Sequence, residues 1–343
     1  PLNCAINVRM NQIMNKILII TDAWEPQVNG VVTTMTKVVE KLKEKGYEVD
    51  VIHPGLFHTF PLPNYPEISV AWNFWDLKKK IKQSNPDYVH VSVEGPLGVT
   101  GRHYCIEHNI PYTTCIHTKF PEYVYERFGI GLDVTKGLLK WFHNSAAKTL
   151  VNTESHKAEL EQDGFTDLVL WSRGFDSKIF YPCPEGGKQK HLLYVGRVAV
   201  EKNIEEFLKM ESDLPKVVVG GGPSLKSYAK RYPDVDFVGF KKGKELADYY
   251  RDAACFVFPS MTDTFGIVLI EALACGTPIA GFNVTGPKDI VIEGVNGSLD
   301  NKDLQKAVTR ALKINREAAY KSSKTYTWDT VADQFISSLV PIK

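Results

Sequence analysis

Short, uninterrupted apolar runs recur along the chain, each followed by a loop and then by a segment with helical spacing. The first is Lys16–Thr21, KILIIT. A strand that is apolar on both faces must be covered on both, which is the condition of a strand inside a parallel sheet. The loop Asp22–Gly30 follows, and then Val31–Lys45 has apolar residues at helical spacing with Gly46 placed to end the helix. Tyr47–His53 reads as the second strand, Asp76–Gln83 as a helix, Tyr88–Val93 as a strand after Asn85-Pro86, and Pro111–Ile116 as another. Leu138–Ser145 has a helical pattern and Thr149–Asn152 is a short strand. Alternation of this kind predicts a doubly wound α/β sheet.

The alternation then stops and restarts. Phe180–Lys190 carries Pro182, Pro184, Gly186 and Gly187 with little apolar content, which is a linker composition. Beyond it, strands at His191–Val195, Lys216–Val219, Phe237–Val238, Ala254–Pro259 and Pro278–Gly281 alternate with helices. The helices are Asn203–Lys209, Ser224–Arg231 and Gly266–Cys275, the last closed by Gly276. The expected architecture is two facing Rossmann-like β/α/β domains with an interdomain cleft, residues 14–180 and 181–325, and a terminal helix over 326–343. A chain of 343 residues is long enough for two such cores. Pro1–Ile13 lacks the apolar centre of a secretory signal and reads as a disordered extension, with Met14 the more natural start and Met10 the alternative.

Charge and cysteine content narrow the function. Lys plus Arg (41) nearly cancels Asp plus Glu (40), so no global charge favours nucleic acid. Cys4, Cys105, Cys115, Cys183, Cys255 and Cys275 are scattered without a C-x-x-C pair, which predicts free thiols in a reducing compartment and no zinc site. The apolar runs fall short of the roughly 18 residues of a spanning helix. The expected location is cytoplasmic, with a peripheral position on the inner face of the membrane as the variant that a lipid substrate would require.

Four tracts carry residues suited to chemistry. In Ser260–Pro278, SMTDTFGIVLIEALACGTP, Asp263 lies in the loop after an apolar strand and Glu271 on the helix that follows. Free N–H groups and the positive end of the dipole at a helix start suit sugar hydroxyls and a diphosphate. Equally, Asp263 could simply cap that helix and Glu271 sit on a solvated face. In Gly196–Asn203, GRVAVEKN, Arg197 and Lys202 stand at a strand-to-helix turn, where two cations can neutralise a diphosphate leaving group. In Glu25–Thr33, Gly30 precedes a helix and lets backbone approach a phosphate. In Ile116–Tyr123, IHTKFPEY, His117 follows an apolar strand, where its side chain would face the cleft.

Two further tracts resemble familiar motifs. Gly220-Gly221-Gly222-Pro223 is not a dinucleotide fingerprint, because the position that needs glycine is Leu225; Gly221 and Gly222 are expected to line a nucleotide, with Phe237–Phe240 beside them. Asp234-Val235-Asp236 has the form of a metal-binding D-x-D but opens a strand, so no metal site is expected there.

The run from Asp263 to Glu271 resembles the E-x7-E signature of the family 4 retaining glycosyltransferases, which have the GT-B fold, with Asp in place of the first Glu. GRVAVEKN matches that family's G-R-x-x-x-E-K-N pattern, and HTKFPEYVYERFG with LWSRGFD (Leu170–Asp176) is similar to the branch of sulfolipid synthases and GDP-mannose-dependent α-mannosyltransferases. The likeness covers nearly all of Met14–Lys343, including Trp328 on a C-terminal helix. It implies that Asp263 and the backbone of Phe265, Gly266 and Ile267 hold the donor sugar, that Glu271 holds the ribose, and that the Gly30 loop closes over the phosphates. It further implies that His117 contacts the sugar near its anomeric carbon, with Lys119, Glu122 and Tyr123 on the acceptor side. The donor would be a UDP- or GDP-linked sugar, without a metal or other cofactor, and the reaction would retain configuration. Trp72-Asn73-Phe74-Trp75 beside Lys78, Lys79, Lys80 and Lys82 suits an anionic membrane, or else core aromatics beside a solvated helix. With the branch resemblance it points to a lipid acceptor such as diacylglycerol, and a glycan or phosphoinositide-type acceptor is the alternative. A nucleotide-sugar epimerase shares the double-Rossmann plan but would lack both tracts. A non-catalytic nucleotide-sugar binding module is disfavoured by the retained His117, Arg197, Lys202 and Glu271.

Overall fold

The computed structural model describes residues 15–27, 30–62, 65–117, 131–183 and 188–342. The chain forms two units, Pro1–Thr113 with Leu339–Lys343, and Thr114–Ser338.

In the first unit β1 (Lys16–Ile20) lies in parallel between β2 (Glu48–Ile52) and β5 (Tyr88–Val91). Ile17 through Ile20 are fully buried, which is why this strand shows no alternation. The helix Gly30–Glu44 buries Val32, Met35, Val38, Val39 and Leu42, one stripe at helical spacing. Between β2 and β5 the chain adds an antiparallel hairpin, β3 (Thr59–Leu62) and β4 (Tyr65–Ala71), which the sequence reading did not anticipate. The short helix Leu77–Ser84 follows it. The helix Pro96–Glu107 was also unanticipated; it buries Leu97, Gly98, Gly101, Arg102, Tyr104 and Cys105, too wide a set to leave a clean amphipathic period. Asp22, just past β1, accepts hydrogen bonds from the N–H groups of Leu97 and Gly98 (3.0 Å each) at the start of that helix. Burial nevertheless pushes its carboxyl up to about 6. The terminal residues belong here: Ile342 N–H donates to Asp87 O at 2.8 Å beside an antiparallel bridge between Pro341 and Tyr88.

The division between the units passes through β6 (Thr113–Cys115), which is followed in the hydrogen-bonded order by β7 (Lys148–Val151) and β8 (Leu168–Leu170). The larger part of the second unit is a six-stranded sheet in the order β11-β10-β9-β12-β13-β14. Its strands are β9 (His191–Val195), β10 (Lys216–Val219), β11 (Val235–Gly239), β12 (Ala253–Phe258), β13 (Ile279–Phe282) and β14 (Gly297–Asp300). All five pairings are parallel. This is the 3-2-1-4-5-6 order of a Rossmann sheet, and the chain reverses direction across the sheet between β9 and β12. The last helix, Trp328–Ser338, is anchored by Trp171, whose Nε1 donates to Val331 O at 3.0 Å and whose ring lies 5.5 Å from that of Phe335. Among the described residues no helix is long and apolar enough to cross a membrane.

At the carboxyl ends of β9 and β10 the two following loops are stacked backbone on backbone. Val198 N–H donates to Gly221 O (2.9 Å), and Ser224 N–H to Val198 O (3.1 Å). A Cβ on Gly220 would stand 1.9 Å from Gly196 O, and one on Gly222 2.3 Å from Val198 O, whereas Gly221 faces open space. Glycine at 220 and 222 is therefore required by this close approach. Gly220→Ala should lower the unfolding free energy by about 2 kcal/mol or more. Gly221→Ala should stay within about 0.5 kcal/mol. Denaturant titration of the two variants checks the contrast.

Candidate active site at the switch point of the second sheet

The loops leaving β9 and β12 are neighbours at the switch point, where open α/β sheets bind their ligands. Asn203 Nδ2 donates to Pro259 O at 3.1 Å and ties them together, while the Tyr194 hydroxyl donates to Arg197 O at 2.8 Å and fixes the first bend. A 3-10 turn, Val200–Lys202, then directs Lys202 at Asp263, with Nζ to Oδ1 at 2.7 Å. The two side chains are 28% and 25% exposed, and an ion pair this wet is worth about 1 kcal/mol or less. A diphosphate can therefore compete for Lys202 at little cost. Arg197 is freer: its side chain is 50% exposed and its Nε lies 3.9 Å from Glu201.

The helix Ile267–Ala274 begins four residues after Asp263. Its N-cap, Gly266, has φ +82, a left-handed conformation that disfavours any side chain. Phe265 turns its ring into the core, edge-on to Tyr326 at 6.0 Å, so only the backbone of Phe265, Gly266 and Ile267 serves the helix start. Glu271, one turn further, is not on a solvated face. The Tyr250 hydroxyl donates to its Oε2 at 3.1 Å, and burial pushes the carboxyl up to about 7.

A second constellation surrounds His117, directly after β6. The carbonyl of His117 accepts from Asn152 Nδ2 (3.2 Å) and from the Thr264 hydroxyl (3.5 Å). Asn152 Nδ2 also reaches Thr264 Oγ1 at 3.3 Å. Since Thr264 is the neighbour of Asp263, the structure brings His117, Asp263 and Lys202 into one region. Arg173 is buried beside them, its guanidinium 4.6 Å above the Trp171 ring. Neither Asn152 nor Arg173 was singled out from sequence. The signals are the polar residue ending the apolar strand over 149–152 and the arginine within the LWSRGFD tract.

The remaining expected residues are placed as follows. Gly30 opens the helix Gly30–Glu44 in the first unit, with nothing within 4 Å of an added Cβ. Gly221 is open at the end of β10, and Gly222 is packed against Val198. Lys119, Glu122 and Tyr123 lie outside the described residues. Asp236 sits within β11, paired with Val217.

The raised carboxyl of Glu271 has a consequence for stability. Between its ordinary value near 4.5 and about 7, the folded protein holds a proton that the unfolded chain has released. Folding through this group therefore weakens as pH rises across that window. Relative to the wild type, Glu271→Gln should gain melting temperature at pH 7.5 compared with pH 5, and thermal melts at the two pH values read the difference directly.

Residues 28–178 match the family model Glycosyltransferase Family 4, and residues 178–327 match Glycosyl transferases group 1. The chain is 29% identical to a GDP-mannose-dependent alpha-mannosyltransferase of Corynebacterium glutamicum, over 94% of this chain and 87% of that one. It is 27% identical to a sulfoquinovosyl transferase of Arabidopsis thaliana (88% and 68% covered) and 25% identical to an alpha-monoglucosyldiacylglycerol synthase of Streptococcus pneumoniae (87% and 78% covered). Its fold is similar to that of the sucrose-phosphate synthase of Thermosynechococcus elongatus, with TM-score 0.74 and 20% identity over 94% of this chain and 98% of that one. With two parallel α/β sheets and both family models in succession, the chain belongs to the family 4 glycosyltransferases of the GT-B fold.

Proposed function

We propose that this glycosyltransferase moves a hexosyl group from a nucleotide diphosphate sugar to the hydroxyl of a membrane lipid such as diacylglycerol, with retention and without a metal. The observation that carries the donor half is the convergence of Arg197, Lys202, Asp263 and a helix start at the carboxyl ends of β9 and β12. In this reading the bond from the anomeric carbon to the β-phosphate oxygen breaks, and its electron pair leaves with the diphosphate. Lys202 and Arg197 stabilise that developing charge, which is stronger in the transition state than in the ground state. Lys202 exchanges Asp263 for phosphate, and the freed carboxylate accepts from sugar hydroxyls. The backbone of Phe265, Gly266 and Ile267 offers the remaining donors, Glu271 meets the ribose, and Gly221 admits close backbone approach. The acceptor oxygen enters on the face the diphosphate leaves, its proton passing to the departing phosphate oxygen. His117 borders the anomeric carbon, and Lys119, Glu122 and Tyr123 serve the acceptor.

The lipid half is supported by the surface of the first unit. Leu56, Phe60, Trp72, Phe74 and Trp75 are exposed, with Trp72 edge-on to Trp75 at 5.4 Å and Phe74 5.7 Å from Trp75. Trp72 N–H donates to His58 O (3.0 Å), and Asn73 Oδ1 accepts from His58 N–H (2.8 Å), so the aromatic loop is held to its neighbour. Lys79 and Lys82 are exposed on the adjoining helix, Lys78 pairs with Glu107, and Lys80 lies over the Phe57 ring. Aromatics at the level of the headgroups with cations beside them suit the anionic inner face of a membrane, and a peripheral cytoplasmic enzyme is the corresponding location. The mannosyltransferase relative favours a second reading, transfer from GDP-mannose to a glycan or phosphoinositide-type acceptor. A melting shift with GDP rather than UDP selects it.

Lys202→Ala and Arg197→Ala should each lower turnover by about 100-fold or more, assayed in excess chelator, in which the wild type keeps its rate. Near-normal rates in the variants, or full inhibition by chelator, would overturn the donor-site reading. Trp72→Ala with Trp75→Ala should weaken sedimentation with phosphatidylglycerol vesicles by about 10-fold while leaving nucleotide-induced thermal stabilisation intact. Unchanged vesicle binding removes the membrane assignment.

A further inference from the structure

Arg173, in the constellation around His117, has no role in the transfer proposed above. It is 4% exposed, and among the described residues none of its hydrogen-bond partners is a carboxylate. Nη1 donates to the carbonyls of Trp171 (3.3 Å) and Ser172 (3.2 Å). The two hydrogens of Nη2 are divided between Asn152 Oδ1 at 2.5 Å and His117 Nδ1 at 3.3 Å. A buried cation with no countercharge among the described residues is costly, so its retention is informative.

A guanidinium has five N–H groups and no acceptor. Any hydrogen bond it makes to an imidazole nitrogen therefore requires that nitrogen to bear a lone pair. We propose that Arg173 is a positioning residue that acts through His117, holding its ring as the neutral tautomer with Nδ1 bare and the hydrogen on Nε2. The proposal rests on the reading of His117 as the residue beside the donor sugar. The thiol of Cys115, 3.8 Å from Nδ1, is a second group able to donate to the same nitrogen. The Trp171 ring, edge-on to the imidazole at 6.2 Å, fixes the plane in which this happens.

Asn152 completes the device. Its Oδ1 orients the guanidinium while its Nδ2 holds the His117 carbonyl, so ring and backbone of His117 are gripped from one side chain pair. A second proton on the ring would have to displace Arg173 and would stand beside its positive charge. His117 thus meets the sugar as a hydrogen-bond donor through Nε2–H, and not as a base.

The test uses the full chain labelled with 15N-histidine, reading imidazole tautomers in long-range 1H–15N spectra at pH 7, with the His117 signals assigned by their loss in His117→Gln. The expected wild-type pattern is unprotonated Nδ1 and protonated Nε2. In Arg173→Met the ring should become a mixture of tautomers or imidazolium, with kcat reduced by about 10-fold or more; Arg173→Lys, which keeps one donor, should restore both. A wild-type Nδ1–H tautomer or imidazolium would overturn the proposal without any Arg173 variant. So would an Arg173→Met spectrum identical to wild type. Wild-type turnover in His117→Gln would instead overturn the proposed contact of His117 with the sugar, a failure the tautomer measurement keeps separate.

Discussion

The site depends on two parallel strands, β9 and β12, lying side by side with their chain connections leaving in opposite directions across the sheet. Their loops cannot cover the crevice between them, so polar groups at the two strand ends face each other. Pro259 and Asn203 are joined by one hydrogen bond, and the pair Lys202–Asp263 forms one residue before Asn203 and four residues after Pro259. On β10 the next loop approaches so closely that glycine is enforced at 220 and 222. The sheet is thus not a scaffold to which a site was added. Its order makes the site.

Charge is distributed over that site in three states of readiness. Lys202 is held loosely by Asp263 in a solvent-accessible pair, Arg197 extends into solvent, and Arg173 is buried with no acidic hydrogen-bond partner among the described residues. Physical chemistry assigns each a different kind of work. An exposed pair exchanges partners cheaply, an open cation can follow a ligand, and a buried cation fixes whatever it touches. Glu271 follows the same logic from the acidic side, since burial and the Tyr250 hydroxyl act on one carboxyl in opposite directions and burial prevails.

Most strands were legible because a two-face-buried strand must be an unbroken apolar run. His191–Val195 and Lys216–Val219 have the bounds the sequence suggested, and the helix over Gly30–Glu44 differs from its expected span by one residue at each end. The hairpin Thr59–Leu62 with Tyr65–Ala71 was missed, because its prolines and mixed polar residues resemble a loop. The helix Pro96–Glu107 was missed for the opposite reason: it is buried too broadly, with Gly101 set against Ile20 of β1, to show a polar face. Within the site, residues with a strong local context were visible, namely the acids before and on a helix and the cations at a strand end. Tyr250, Asn152 and Arg173 were not, since each acts on a residue 21 or more positions away in sequence.

By itself the sequence determined the class of fold and the chemistry available to it, because periodicity dictates which faces must be covered and the two motif tracts carry their own local geometry. Tertiary structure decided which groups work together. Lys202 and Asp263 are 61 residues apart, and Arg173 and His117 are 56 apart. No local spacing encodes such pairs; they exist because parallel strands bring their carboxyl ends to one edge. The raised carboxyl of Glu271 likewise arises only there, since burial, which no linear motif records, sets the cost of its charge.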